Sequence, residues 1–411
     1  MTNKIMIHKK RRSSLLNQLG DDALVIVSTN PVQNRSNDTD YPYRPNSDFY
    51  YLTGFTEPDS VAVFSKDCYT IFLRPSDKNK EIWDGRRLGV VDAPNKLHAN
   101  KSFSIESLES ELSRLLSNKN NIFFDPKSYR IDNIIIESLN LYEFNSAANY
   151  IHEMRLIKDD NEVELMQKAA NISIQAHEIA MKSVKPDMFE YEIQSIFDAQ
   201  FTKNNSKHAY SPIVAGGENA CILHYIENNK MLNKDSLILI DAGCEFEYYA
   251  SDITRTFPIC GSFSSPQKEV YQIVLDAQNA AINCIKPGIK VSMPHTIASN
   301  IIKEGLIHLG ILKAQGELSE FYMHRTGHWI GIDVHDVGTY TNNGEDRVFE
   351  SGMVITVEPG IYINNNDKIN PMYRNIGIRI EDDVLVTNNG NKVLTGSLVK
   401  EIKDIESMMN N

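Results

Sequence analysis

Two apolar stretches of this sequence run straight into carboxylates. Leu237-Ile238-Leu239-Ile240 reads as a buried strand and ends in Asp241-Ala242-Gly243. An ionised carboxylate in that position is costly unless a cation or hydrogen-bond donors compensate it. Eleven residues on comes Ser251-Asp252-Ile253-Thr254-Arg255-Thr256-Phe257. A hairpin of the two segments sets Asp241 opposite Asp252 and Leu239 opposite Thr254, with opposed Cβ atoms about 5 Å apart. Carboxylates held that close repel, and a metal ion removes the conflict. Either Asp taken alone reads as a turn cap or a solvated acid; the pair in this setting reads as a metal site. The anomaly recurs downstream. Met353-Val354-Ile355-Thr356-Val357 leads into Glu358-Pro359-Gly360, and Ile376-Gly377-Ile378-Arg379-Ile380 leads into Glu381-Asp382-Asp383. Alternation along the second strand puts Arg379 and Glu381 on one face and Ile378 and Ile380 on the other. Arg379 is thereby placed to orient an acid, or to form a plain structural ion pair.

Between these acids lie three of the chain's 11 histidines, in His324-Arg325-Thr326-Gly327-His328-Trp329-Ile330-Gly331-Ile332-Asp333-Val334-His335. Histidines four apart can share one helix face as metal ligands, but Gly327 and Gly331 favour a glycine-rich loop. Four carboxylates and one imidazole form a coherent donor set whose negative charge balances two divalent cations. Oxygen-rich ligation favours Mn2+ and leaves Zn2+, Co2+ and Fe2+ open. Two such ions about 3.5–4 Å apart share a hydroxide and stabilise a tetrahedral oxyanion. The remaining histidines are suited to proton movement. The chemistry expected is metal-assisted hydrolysis of an amide, without a covalent enzyme intermediate.

These groups need a scaffold. A long helix is expected from Asp159 or Asp160, with Leu165, Ala169, Ile172, Ala176 and Ile179 as its apolar face. A domain boundary is placed just before it, giving domains 1–155 and 156–411. In the second domain the order helix, helix, acid-bearing strands occurs twice, around Pro186 and again around Pro287-Gly288. That suggests an internal repeat with a site facing both halves. In the first domain, strands at 23–28, 60–64 and 122–124 alternate with a helix at 104–116, a small α/β pattern.

Composition bounds the rest. A chain of 411 residues exceeds one ordinary core. A net charge of −12 argues against nucleic acid or an anionic membrane as the main partner. No apolar run approaches the roughly 18–20 residues that span a bilayer. The five cysteines, Cys68, Cys221, Cys244, Cys260 and Cys284, show no paired spacing, so reduced thiols in a cytoplasmic protein are expected. The basic start, with Lys4, Lys9, Lys10, Arg11 and Arg12, is followed by an amphipathic rather than an apolar stretch. It reads as the solvated face of a helix and not as a signal peptide.

The segments Asp241-Ala242-Gly243, Ser251-Asp252-Ile253-Thr254-Arg255, His328, Glu358-Pro359-Gly360 and Arg379-Ile380-Glu381 span some 140 residues in a fixed order. On them the chain resembles the superfamily of creatinase, methionine aminopeptidase and the proline peptidases, and within it the Xaa-Pro aminopeptidases (aminopeptidase P). The resemblance implies an α+β pita-bread catalytic domain with an internal pseudo-twofold repeat. It also implies a smaller α/β N-terminal domain of the creatinase, ribonuclease-H-like type. It implies that Asp241, Asp252, His328, Glu358 and Glu381 hold two divalent ions, and that Glu358 also shuttles protons. His224, His324 and His335 match substrate-side histidines that line the proline subsite and stabilise the scissile carbonyl. Tyr340 and Arg379 match supporting positions. In the N-terminal part, Arg44-Pro45-Asn46-Ser47-Asp48-Phe49 and Glu81-Ile82-Trp83-Asp84-Gly85 match as well. They imply that Asp48 reaches the rim of the site and that Trp83 helps close a site in an oligomer. The expected substrates are peptides beginning Xaa-Pro, and the expected assembly is a homodimer or homotetramer. Xaa-Pro dipeptidase (prolidase) is the rival within the fold, and a non-catalytic peptide-binding module the rival outside it.

Overall fold

The computed structural model describes residues 2–117, 119, 121–124 and 145–410. The chain divides into two compact units, Met1–Arg155 and Leu156–Asn411. Among the described residues, no helix is long and apolar enough to cross a membrane. All five cysteines are free thiols.

The N-terminal unit is built on a five-stranded mixed sheet. Helix α1 (Thr2–Leu19) precedes strand β1 (Leu24–Ser28), helix α2 (Ser47–Thr53) and the hairpin β2 (Val61–Ser65) and β3 (Cys68–Leu73). Helix α3 (Lys78–Asp84), strand β4 (Lys101–Ser104), helix α4 (Leu108–Leu116) and strand β5 (Ile122–Phe123) follow. The sheet order is β4-β3-β2-β1-β5, antiparallel through β3-β2-β1 and parallel at both edges. Leu24, Ile26, Val61, Val63 and Phe72 pack against Leu108, Leu112 and Leu116 of α4. The helix expected at 104–116 is shorter, because residues 101–104 pair with β3 and a 3-10 turn intervenes.

The basic start is not the uniformly solvated face that its composition suggests. Arg11 and Arg12 are buried. Their guanidinium carbons lie 4.0 Å from the Tyr51 ring centre and 4.2 Å from that of Tyr69, and Arg12 Nη1 donates to the Leu52 carbonyl at 2.7 Å. Aromatic faces and a backbone acceptor take up charges that water was expected to hold.

The second unit opens with helix α5 (Asp160–Ser183), capped by Asp159 in a reciprocal pair with Glu162, and helix α6 (Glu190–Lys203). Strand β6 (Ile213–Gly216), strand β7 (Leu237–Asp241) and strand β8 (Thr254–Pro258) form one sheet, in the order β8-β7-β6. The pattern then recurs. Helices α7 (Ser265–Cys284) and α8 (Met293–His308) precede β9 (Val354–Val357), β10 (Gly360–Ile363), β11 (Ile376–Arg379), β12 (Asp382–Thr387) and β13 (Gly390–Val393). Strands pair as β9-β12-β13 and β10-β11. A single large core joins helices α5–α8 to these strands. This mixed α+β unit, with two helix pairs each feeding acid-bearing strands, is the pita-bread arrangement.

Two expectations need correction. The buried face of α5 includes the expected Ala169, Ile172 and Ala176 and extends to Met166, Ala170, Ser173, Ile174, His177 and Ala180, whereas Ile179 is 42% exposed. The buried stripe includes a serine and a histidine, which apolar spacing alone ignores. The strands β7 and β8 pair with Asp241 opposite Thr254 and Leu239 opposite Thr256, two residues from the expected register. A short hairpin of Cys244–Phe246 and Tyr249–Ala250 takes up the connection, and Asp252 sits in the bend between that hairpin and β8. A shift of two preserves the face, so both acids still point to the same side.

Candidate metal centre

Each acid sits at a strand end or in a bend beside one. Asp241 closes β7, Glu358 follows β9, and Glu381 lies between β11 and β12. His328 is carried by the irregular segment 322–340, a loop and not a helix. Close backbone approach requires the two glycines beside these residues: a Cβ on Gly243 would run into the Ser251 carbonyl, and one on Gly327 into the Thr356 carbonyl.

The side chains converge on one cavity of about 490 Å3. Its walls include Asp241, Asp252, Glu358, Glu381, His224, His324, His328, His335, Tyr340 and Arg379. Ligand atoms of Asp252, His328 and Glu381 lie within 4.8 Å of one another. His328 Nε2 stands 3.4 Å from Asp252 Oδ2 and 3.5 Å from Glu358 Oε1. Its Nδ1–H donates to the Trp329 carbonyl at 3.0 Å. That bond fixes the tautomer and turns the Nε2 lone pair toward two carboxylates. Three acceptors facing one another require a proton or a metal ion between them, so this donor set fits a cation.

Protonation follows from the crowding. Burial, reinforced by the charges of Asp252 and Asp241, pushes Glu358 up to about 7 against the pull of His328 and Arg379. Burial, with its acidic neighbours, raises Glu381 well above the ordinary carboxylate range. Asp241 rises mainly through burial, opposed by Arg379. Burial works against charge on His328, but its bond to Asp252 and the nearby acids prevail and lift it to about 9. Without a cation, the cluster takes up protons.

Several groups hold the acids in place. Arg379 Nη2 lies 2.5 Å from Asp241 Oδ2, its Nη1 donates to Tyr362 Oη at 3.0 Å and its Nε to Thr254 Oγ1 at 3.1 Å. Thr254 Oγ1 donates to Glu381 Oε2 at 2.7 Å. Thr356 Oγ1 accepts the His328 N–H at 3.0 Å and donates to Glu358 Oε1 at 3.3 Å. The Tyr210 hydroxyl lies 2.7 Å from Asp241 Oδ1 and 2.5 Å from Asp252 Oδ1. Tyr210, Thr254 and Thr356 were not singled out from sequence. Tyr210 sits in a loop with no pattern around it, and the threonines read simply as strand formers.

The histidines divide by environment. His324 Nε2 accepts from Tyr362 Oη at 2.8 Å, and its Nδ1 lies 3.8 Å from Glu358 Oε2. Burial and the Arg379 charge depress it to about 4, so the ring is neutral. The His335 ring stands edge-on to His328 with centroids 4.3 Å apart. His224 is exposed on the cavity wall. Tyr340 accepts the Trp329 N–H at 3.1 Å and stacks on the Trp329 indole.

The remaining two predicted residues belong to the N-terminal unit. The Asp48 carboxylate receives Arg155 Nη1 at 2.7 Å and His152 Nε2 at 3.2 Å. Trp83 is 87% exposed on α3, a helix that buries none of its residues.

Beneath the cavity, α5 supplies two buried polar side chains. Ser173 Oγ accepts the Cys244 N–H at 3.0 Å and bonds Ser251 Oγ at 2.7 Å, while His177 Nε2 donates to the Ala242 carbonyl at 2.9 Å. They hold the turn that follows Asp241 and the bend that carries Asp252.

Comparison with known proteins agrees with this geometry. Residues 164–388 match the model of metallopeptidase family M24, and residues 8–123 match that of the aminopeptidase P N-terminal domain. The chain is 44% identical to the Xaa-Pro aminopeptidase of Haemophilus influenzae, over 98% of this chain and 96% of the relative. It is 39% identical to that of Escherichia coli, over 98% and 97%. Among solved structures, the aminopeptidase PepP of Pseudomonas aeruginosa superimposes with a TM-score of 0.96 at 39% identity, over 99% of this chain and 98% of that one. The zinc-substituted aminopeptidase P of Escherichia coli, in complex with product, gives 0.95 at 37% identity, over 99% and 98%. By sequence along nearly its whole length, and by fold, the chain belongs to metallopeptidase family M24.

Proposed function

We propose that the protein is an Xaa-Pro aminopeptidase, releasing the N-terminal residue from peptides with proline second. The observation that carries this is the convergence of four carboxylates, Asp252 and Glu381 buried and Asp241 and Glu358 half-buried, on a tautomer-fixed imidazole, inside a cavity of peptide-binding size. The names of the relatives supply the proline preference.

Asp241, Asp252, His328, Glu358 and Glu381 hold two divalent ions, with Mn2+ the ion that so oxygen-rich a set favours. When bound, the ions supply Lewis-acid activation of the scissile carbonyl and of the attacking water. The chain's own residues do the rest. Glu358 accepts a proton from the attacking water and passes it to the proline nitrogen as the amide breaks; the Thr356 hydroxyl donates to one oxygen of its carboxylate. His324, neutral and tied to Tyr362, and His335 face the carbonyl side and the proline ring. His224 closes the cavity wall. Arg379 keeps Asp241 and, through Thr254, Glu381 in register.

The test is a peptide panel of Xaa-Pro, Xaa-Pro-Yaa and Xaa-Ala-Yaa, with and without added Mn2+. The reading expects cleavage of Xaa-Pro-Yaa between its first two residues. Turnover of Xaa-Pro alone would assign the protein to the prolidases instead.

A further inference from the structure

Arg325 lines the carboxylate-bearing cavity beside His324, and no role given so far uses it. Among the described lining residues the cavity has two guanidinium groups. Arg379 is fully committed, to Asp241, Tyr362 and Thr254, and is 4% exposed. Arg325 differs in every respect. It is exposed, and its guanidinium makes no hydrogen bond or ion pair with the described residues. Its guanidinium faces the Tyr340 ring, whose centre lies 5.8 Å from Cζ, at the outer limit of a cation–π contact. Tyr340 itself is fixed by Trp329, so the ring is a firm platform under a loosely held charge.

The position matters as much as the charge. A second cavity of about 620 Å3 shares Arg325, Gly327 and Tyr340 with the first. The arginine therefore stands where the two cavities meet, with room to swing and space for a ligand beyond it. The four clustered carboxylates are matched by the two divalent ions assigned above, so they do not call on Arg325. What is left is an uncommitted cation at the rim of a peptide site in a protein of net charge −12. A guanidinium is suited to gripping a carboxylate with two parallel hydrogen bonds.

We propose that Arg325 recognises a carboxylate of the peptide substrate and gives the enzyme a preference for acidic peptides. This rests on the aminopeptidase reading above. The carboxylate can come from the side chain of the first residue, from that of the third, or from the C-terminus of a short peptide. An extended chain advances about 3.3–3.6 Å per residue, so the end of a tripeptide is within the span of the two cavities.

Three matched pairs separate these sources: Glu-Pro-Ala-amide against Gln-Pro-Ala-amide, Ala-Pro-Glu-amide against Ala-Pro-Gln-amide, and Ala-Pro-Ala against Ala-Pro-Ala-amide. The manganese-loaded wild type is expected to favour the acidic member of at least one pair by about 3- to 10-fold in kcat/KM, expressed in KM. The ratio should shrink as salt rises, collapse to about one in Arg325→Ala, and be partly retained in Arg325→Lys. Thermal unfolding of each variant controls for folding, and substitution of an exposed side chain is expected to leave the midpoint nearly unchanged. Equal rates within all three pairs, or a preference that survives Arg325→Ala, overturn the proposal. Failure of the wild type to cleave any member overturns the aminopeptidase reading instead.

Discussion

Glu381 and Asp382 are neighbours in sequence, both are buried, and they lead opposite lives. Asp382 turns toward cations and donors. Arg255 Nη2 at 2.8 Å and Thr395 Oγ1 at 2.7 Å satisfy one of its oxygens; Gln278 Nε2 at 2.9 Å and Lys400 Nζ at 3.1 Å satisfy the other. Despite complete burial, the Arg255 and Lys400 charges hold its carboxyl well below the ordinary range. Glu381 turns to the cavity, where a single threonine hydroxyl meets it among Asp252, Glu358 and Asp241, and its carboxyl is pushed well above that range. The same residue chemistry at the same depth is structural where the protein supplies its own cations and functional where it leaves them to be recruited. Arg255 links the two faces, because its Nη1 also donates to the carbonyls of Thr254 and Glu381.

The contrast can be broken from the cavity side first. Glu358→Ala should lower kcat by about 10³-fold, since it removes a donor to the cation and the proton carrier together. Near-normal turnover would remove Glu358 from the chemistry. On the structural face, Arg255→Leu leaves Asp382 without its main partner and should destabilise the fold by about 3–5 kcal/mol in urea unfolding. An unchanged midpoint would mean that Lys400 suffices. His335→Ala should cut kcat by about 10- to 100-fold while metal content, read by atomic emission, stays at the wild-type value. Metal lost from that variant would make His335 a ligand. Ser173→Ala, beneath the cavity, should cost only about 1 kcal/mol of stability, yet weaken Mn2+ binding measured by calorimetry, with Ser173→Thr restoring it. Unaltered affinity in Ser173→Ala would confine the serine to packing.

A subtler distinction lies in pH. In the metal-free protein Glu358 is raised to about 7 and His328 to about 9. Groups raised on folding stabilise fully below their unfolded values, and that contribution fades as pH rises through the folded ones. The metal-free protein should therefore lose stability from these groups between about pH 4.5 and pH 9. Cation binding displaces the same protons, so the rise in melting temperature on adding Mn2+ should be larger at pH 8 than at pH 6. A rise that does not depend on pH would mean that these groups do not exchange protons for the ion.

The acids were legible in sequence because a carboxylate at the end of an apolar strand contradicts its surroundings. Asp241, Glu358 and Glu381 each announce themselves in that way. The strands β7, β8, β9, β11 and β12 and the helices α5–α8 followed from apolar runs, caps and prolines, whereas the short strands β6, β10 and β13 were not anticipated. Register was less legible. The connection from Asp241 to Thr254 folds into a hairpin of its own, and the pairing of β7 with β8 depends on how many residues that hairpin consumes. Partners whose role is purely geometric left no trace. Tyr210 bridges Asp241 and Asp252 from a distant loop, and Ser173 and His177 interrupt an apolar face in a way that spacing treats as noise. Arg11 and Arg12 mislead for the opposite reason, since aromatic rings that lie far along the chain absorb their charge.

The central claim is that the cavity completes itself with cations. Equilibrium dialysis of chelator-stripped protein against Mn2+, with bound metal and Xaa-Pro-Yaa cleavage followed in the same samples, tests it most directly. Two ions should bind per chain, and activity should return in step with them. Undiminished cleavage by the stripped protein, or activity that returns with no ion bound, would contradict the account.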